Sequence, residues 1–112
     1  MNKTIITKSR KEKLDLLIKL DKCETECLWD YEIACEYRNM KAAKNCVKIQ
    51  KIIEKKTKQI WDQLVKSFKV EHERNLPIEI INYYNDGTRK NRYDRFNDYE
   101  SDLIRLGIIK RK

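Results

Sequence analysis

Eight lysines recur at intervals that set their ammonium groups on one side of a helix: Lys41, Lys44, Lys48, Lys51, Lys55, Lys58, Lys66 and Lys69. The first six step 3, 4, 3, 4, 3, the spacing that keeps side chains aligned on an α-helix. At about 100° per residue, all eight fall within a sector of roughly 100°. An ammonium is a compact charge, and a row of them can follow a phosphate backbone without reading its bases. A second basic group, Arg89, Lys90, Arg92 and Arg95, surrounds Tyr93 and Phe96. Arginine mixed with aromatics suits phosphates and stacked bases. These twelve basic residues are the candidate nucleic-acid contacts. The competing reading is a merely solvated face, in a chain whose Lys, Ile, Asn and Tyr content is what AT-rich coding sequence produces.

The other chemistry-bearing residues form weaker patterns. The cysteines are spaced Cys23-x3-Cys27-x7-Cys35-x10-Cys46. Tetrahedral zinc sites draw on two close thiolate pairs. Cys23 and Cys27 make one such pair, a helical turn apart, and no second follows. Cys35 and Cys46 would lie near the closed end of a hairpin turning at Asn39, so a bond between them stays open. The simpler expectation is four small, reduced core residues. The single histidine, His72, sits between Glu71 and Glu73, and neighbours on a helix point apart, so no nucleophile–base–orienter set forms around it. The only glycines, Gly87 and Gly107, stand singly, which leaves no phosphate-cradling loop. No catalytic residue, metal site or cofactor is expected, and the chain reads as non-enzymatic.

The elements that must carry these residues are helices. The chain has 112 residues, two glycines and one proline, and 39% of it is charged. That favours long helices in a single domain spanning 1–112. Residues 1–8 read as an extended arm. Ser9 and Glu12 fit a capping box, opening a first helix over 10–37. Its apolar side gathers Leu16, Leu17, Leu20, Cys23, Cys27, Leu28, Tyr31, Ala34 and Cys35. A second helix over 41–70 sets Ala42, Ala43, Cys46, Val47, Ile49, Ile53, Ile60, Trp61, Leu64, Val65 and Phe68 on the side opposite the lysines. Gln50, Glu54 and Thr57 interrupt that apolar side and would need partners if buried.

One unbroken helix of about 60 residues is the alternative to a hairpin, but two features favour the hairpin. The apolar stripe shifts by roughly 90° across residues 36–41, so a straight helix would lose its buried face. The charge also reverses: residues 14–37 carry net −5 and residues 38–69 net +8. Pro77 suits the first residue of a short third helix, with Gly87 as its left-handed stop. A fourth helix over about 90–106 ends at Gly107, and 107–112 form a basic tail. The expected fold is therefore all-α: a long antiparallel helical hairpin followed by two shorter C-terminal helices.

The net charge of +8 favours polyanionic partners, either nucleic acid or an acidic protein surface. The longest apolar run, Leu16-Leu17-Ile18, is far short of a membrane span. No secretory signal is visible, so an intracellular, reducing compartment, cytoplasmic or nuclear, is expected. Ile18, Trp29, Ile33 and Ile52 fall outside the main apolar stripes. They suggest a second buried face, covered by the C-terminal helices, by a homodimer or by a larger assembly.

Overall fold

The computed structural model describes residues 5–91 and 99–110. Among them the chain is all-α. Helix α1 (Lys8–Glu36) and helix α2 (Met40–Ser67) form the long hairpin, and α3 (Ile78–Asn91) and α4 (Tyr99–Arg105) follow. A 3-10 turn at Glu73–Asn75 precedes α3.

The hairpin turns where the charge reverses. The Asn39 amide donates to the Ala34 carbonyl (2.7 Å) and Arg38 to that of Cys35 (3.1 Å), closing α1 with a Schellman motif. Arg38 supplies its left-handed residue at φ 56°. The Asn39 side chain then caps α2 by accepting the Ala42 amide. The far end of α2 closes in the same way, with Lys69 left-handed at φ 55° and Val70 donating to Val65. Lys69 thus lies beyond α2 and outside its helical register.

At the start of the chain the expected capping box does not form. Thr7, not Ser9, is the N-cap and accepts the Arg10 amide. The stretch 5–8 is no free arm, because Ile5 and Ile6 pack half-buried against the core. Pro77 sits one residue ahead of α3, its carbonyl accepting the amides of Ile80 and Ile81. Gly87 does not end α3 but lies inside it, and the helix runs on to Asn91. The reason is packing: a Cβ at Gly87 would collide with the Ile18 side chain, 2.8 Å from Cγ1 and nearer still to Cδ1. Glycine there lets α3 settle onto α1, and Asn91 Nδ2 donates to the Ile18 carbonyl at 3.1 Å. Residues 92–98 of the expected fourth helix lie outside the described residues.

α1 is the central element, packing against α2, α3 and α4. Burial on more than one side explains why its apolar residues are less segregated than those of α2. The shared core holds Leu17 and Leu20 from α1, Ile53 and Leu64 from α2, Ile80 from α3 and Leu103 from α4. Leu14, outside the expected apolar side, is fully buried, whereas Leu28 and Cys35, expected within it, are exposed. Ile18 is covered by α3, so it belongs to this chain's own packing and not to a partner face. Gln50 and Glu54 satisfy each other through Nε2–H donated to Oε1 at 3.3 Å.

The open end of the hairpin is held by Arg10. Its guanidinium lies 3.7 Å from the Phe68 ring centroid. It donates to the Ser67 hydroxyl and carbonyl, both at 3.0 Å, and to the Ile5 carbonyl at 2.9 Å. A cation on the last carbonyls of α2 also opposes the helix dipole. Arg10→Ala should lower stability by about 1–2 kcal/mol. Arg10→Lys should recover less than half, since an ammonium lacks the planar fork that stacks and reaches three acceptors. Urea denaturation midpoints measure both, and equal midpoints for all three chains would refute the clamp.

Candidate nucleic-acid interface

The lysine face is built by α2 alone. Its apolar residues seat one side of the helix on α1, which turns the opposite side to solvent. Lys41, Lys44, Lys48, Lys51, Lys55, Lys58 and Lys66 lie within the helix, and all seven are exposed. From Lys41 to Lys66 the row extends about 38 Å at 1.5 Å per residue. Lys69 is exposed as well, but sits past the helix end.

The charge reversal between α1 and α2 does not become a set of salt bridges. Ion pairs join Lys11 with Asp15 at 3.0 Å, Lys19 with Asp102 at 3.1 Å and Arg105 with Asp102 at 3.7 Å. No lysine of the row takes part in an ion pair among the described residues. At one point the two helices oppose like charges: burial raises the Glu24 carboxyl above its usual range, and Glu54 across the hairpin raises it further. The hairpin is held by apolar packing, so its acids do not neutralise the row. Near the start of α2, Lys41, Lys44 and Lys48 border one shallow hollow with Asn39 and Asn45, beside the positive end of the helix dipole.

The second basic group is not joined to the first. Arg89 and Lys90 are exposed in the last turn of α3. That helix packs chiefly on α1 and meets α2 through Tyr84, edge-on to Trp61 with ring centroids 5.0 Å apart, a contact that does not involve its basic last turn. Arg92 and Arg95, with Tyr93 and Phe96, lie outside the described residues. Of the candidate partner contacts, Trp29 and Ile33 remain at the surface, Ile52 is half-buried, and Ile18 is covered as described above.

The cysteines take a different place from the lysines. All four thiols are free. Cys23, Cys27 and Cys46 are buried, while Cys35 is exposed and not a core residue. Cys27 Sγ–H donates to the Cys46 carbonyl at 3.2 Å, and Cys46 Sγ lies 4.0 Å from Tyr99 Oη. Burial pushes the Cys23 thiol up to about 11, with Asp102 adding to the shift. Burial likewise pushes Cys27 up to about 12, helped by Cys46. A thiol held protonated is a weak nucleophile and a weak metal ligand. Among the described residues no group of three His, Cys, Asp or Glu side chains is placed to hold a metal ion. No helix among them is long and apolar enough to cross a membrane.

No family model matches the chain, and neither a curated protein sequence nor a solved structure is found similar to it.

The periodicity of the lysines was enough to find the row. It did not reveal a set of hollows on the flank of α2 that faces α4, lined by Ile49, Ile52, Ile104 and Ile108. Of these only Ile52 stood out in the sequence. Ile49 and Ile104 have ordinary core spacing and Ile108 falls in the tail; Ile49 is buried, while Ile104 and Ile108 are half-buried.

Proposed function

We propose that this chain binds nucleic acid, without reading its sequence, through the lysine face of α2. The observation that carries the reading is the state of that face: seven lysines along about 38 Å of one helix, all exposed and none in an ion pair with a carboxylate among the described residues. Ammonium groups left unneutralised by their own protein are available to displace counterions from a polyanion. Three of them converge near the start of α2, where the helix dipole adds to their field. A straight helix face of this length meets about four to six phosphates before a duplex curves away. Binding would therefore track backbone charge, with no preference among base sequences. No catalysis is assigned to the chain.

Fluorescence anisotropy with labelled single-stranded and duplex oligonucleotides tests this. Binding is expected at about 50 mM salt and should weaken roughly 10²- to 10³-fold by about 200 mM. Failure of both oligonucleotides to bind at the lower salt would overturn the reading. An acidic protein surface is the other polyanion the row fits, as in an accessory protein docked within a larger assembly. It becomes the better account if nucleic acid fails and a polyglutamate chain binds.

A further inference from the structure

Three hollows run in series along the flank of α2 that faces α4. The first lies between the hairpin turn and the start of α4, bordered by Asp30, Ile33, Tyr37 and Glu100. It shares Asn45 and Glu100 with the second, of about 660 Å³, which is floored by Ile49, Ile52 and Ile104 and rimmed by Lys48 and Lys110. The second shares Ile52 and Ile108 with the third, beside Lys55 and Lys56. Among the described residues α4 packs chiefly on α1 and reaches α2 at its first residue, where Tyr99 Oη lies 4.0 Å from Cys46 Sγ, and the hollows open beside and beyond that contact.

The result is an apolar strip with opposite charges at its ends. Ile33 is 52% exposed and Tyr37 78% exposed at the turn end. Carboxylates cluster there: Asp30 and Glu100 border the hollow, and Glu32 and Glu36 are exposed on the same last turns of α1. The third hollow, at the far end, carries the ammonium groups of Lys55 and Lys56 on its rim, while the second is bordered by Lys48 and Lys110 together with Glu100. Exposed apolar side chains rimmed by charged groups are the surface on which partners dock, and the polarity of this strip selects the occupant. An acidic or a basic helix from another protein would complement one end and be repelled by the other. A second copy turned over by a two-fold axis complements both, because each acidic end then lies on a basic one. That self-complementarity is what an isologous contact requires.

We propose that this strip is the interface of a two-fold homodimer in which the copies lie antiparallel, turn end against basic end. From Ala42 to Gln59 the strip extends about 26 Å, and the molecule is 24–25 Å across. A footprint of about 650 Å² lies near the lower bound of a standard interface, about 600 Å² per partner. Lys41, Lys44, Lys51 and Lys58 border none of the three hollows. The dimer therefore leaves them outward and does not depend on the nucleic-acid reading.

Light scattering on a sizing column at about 10–100 μM, without nucleic acid, tests the proposal. The expected mass is twice the 13.6 kDa of the chain, with dissociation promoted by salt. Asp30→Lys with Glu100→Lys should weaken the dimer at least tenfold, as should Lys56→Glu with Lys110→Glu. These four residues are exposed or half-buried, and circular dichroism checks that each variant keeps its helices. Mixing the two double variants should restore a dimer, since each substituted end then meets an end of opposite charge on the other chain. A monomer throughout the concentration range overturns the proposal. So does a dimer indifferent to both charge swaps, or swapped chains that fail to pair on mixing. A monomeric chain that instead binds an acidic amphipathic peptide at Ile104 and Ile108 assigns the strip to a different protein, and the homodimer is refuted.

Discussion

A chain with Lys44, Lys48, Lys51 and Lys55 all replaced by glutamine should bind oligonucleotides at least about 100-fold more weakly and yet melt at a higher temperature. The two effects share one cause. These lysines are exposed and pair with no carboxylate among the described residues, so along α2 they repel one another at i,i+3 and i,i+4. Including Lys41 and Lys58, the replacements remove five adjacent like-charge pairs, each costing roughly 0.2–0.5 kcal/mol. Glutamine matches lysine in helix propensity, so the gain is about 1–2 kcal/mol, or roughly 4–8 °C in Tm. A face that costs stability and supports binding is what a functional surface under a stability–activity trade-off looks like. Thermal melts followed by circular dichroism, read beside anisotropy titrations, give both numbers. Unchanged affinity would reduce the row to a solvated surface. A lower Tm would mean that the lysines have partners after all.

Stability should fall steeply once the pH passes about 9. Burial holds the Cys23 thiol at about 11 and the Cys27 thiol at about 12, against 9.0 for an exposed thiol. Burial also pushes the Tyr84 phenol up to about 12 and raises Tyr99 well above the phenol range. In each case the folded protein keeps a proton that the unfolded chain releases. Between the unfolded and folded values the native state therefore binds more protons, and stability declines as pH rises. Each such group contributes up to ~1.4 kcal/mol per pH unit. With both thiols engaged first, the loss between pH 9 and 11 should be on the order of 3 kcal/mol. Urea midpoints measured at intervals from pH 8 upward give the slope. Cys23→Ala and Cys27→Ala should start less stable and flatten it. A wild-type midpoint that does not move with alkali would mean that the thiols are solvated in the folded state.

Much of the fold was legible because hairpin helices write themselves in periodicity. The shift of the apolar stripe and the reversal of charge near Arg38 both pointed to a turn, and the chain turns there. Ile53, Ile60 and Leu64 were assigned to the core face of α2 and are buried in it. What periodicity missed was decided by contacts distant in sequence. Gly87 resembled a helix stop, but its lack of a Cβ serves Ile18, far back along the chain. Arg10 gave no sign that it would reach Ser67. Asp102 is buried although charged, because Lys19 of α1 meets it. Cys35 had the spacing of a core residue, yet it lies near the closed end of the hairpin, where α1 outruns its cover. The lysine row was readable because it belongs to a single helix. The hollows beside it were not, since they exist only as the distance between two helices.

The central place of α1 also sets an order in time. Its contacts with α2 close across a three-residue turn, so the hairpin has a low entropic cost of closure and can zip from Asn39 outward. α3 and α4 pack chiefly on α1, and meet α2 through Tyr84 on Trp61 and Tyr99 on Cys46, so neither has its main seat until α1 has formed. The hairpin should accordingly fold first and open last, and the α3–α4 segment should exchange its amide hydrogens through smaller, cheaper openings. Slowest exchange is expected where α1 and α2 meet, around Leu20, Cys23 and Ile53, and faster exchange in Ile80 and Leu103, although all five side chains are almost wholly buried. Equal burial in the finished structure would then conceal unequal lifetimes.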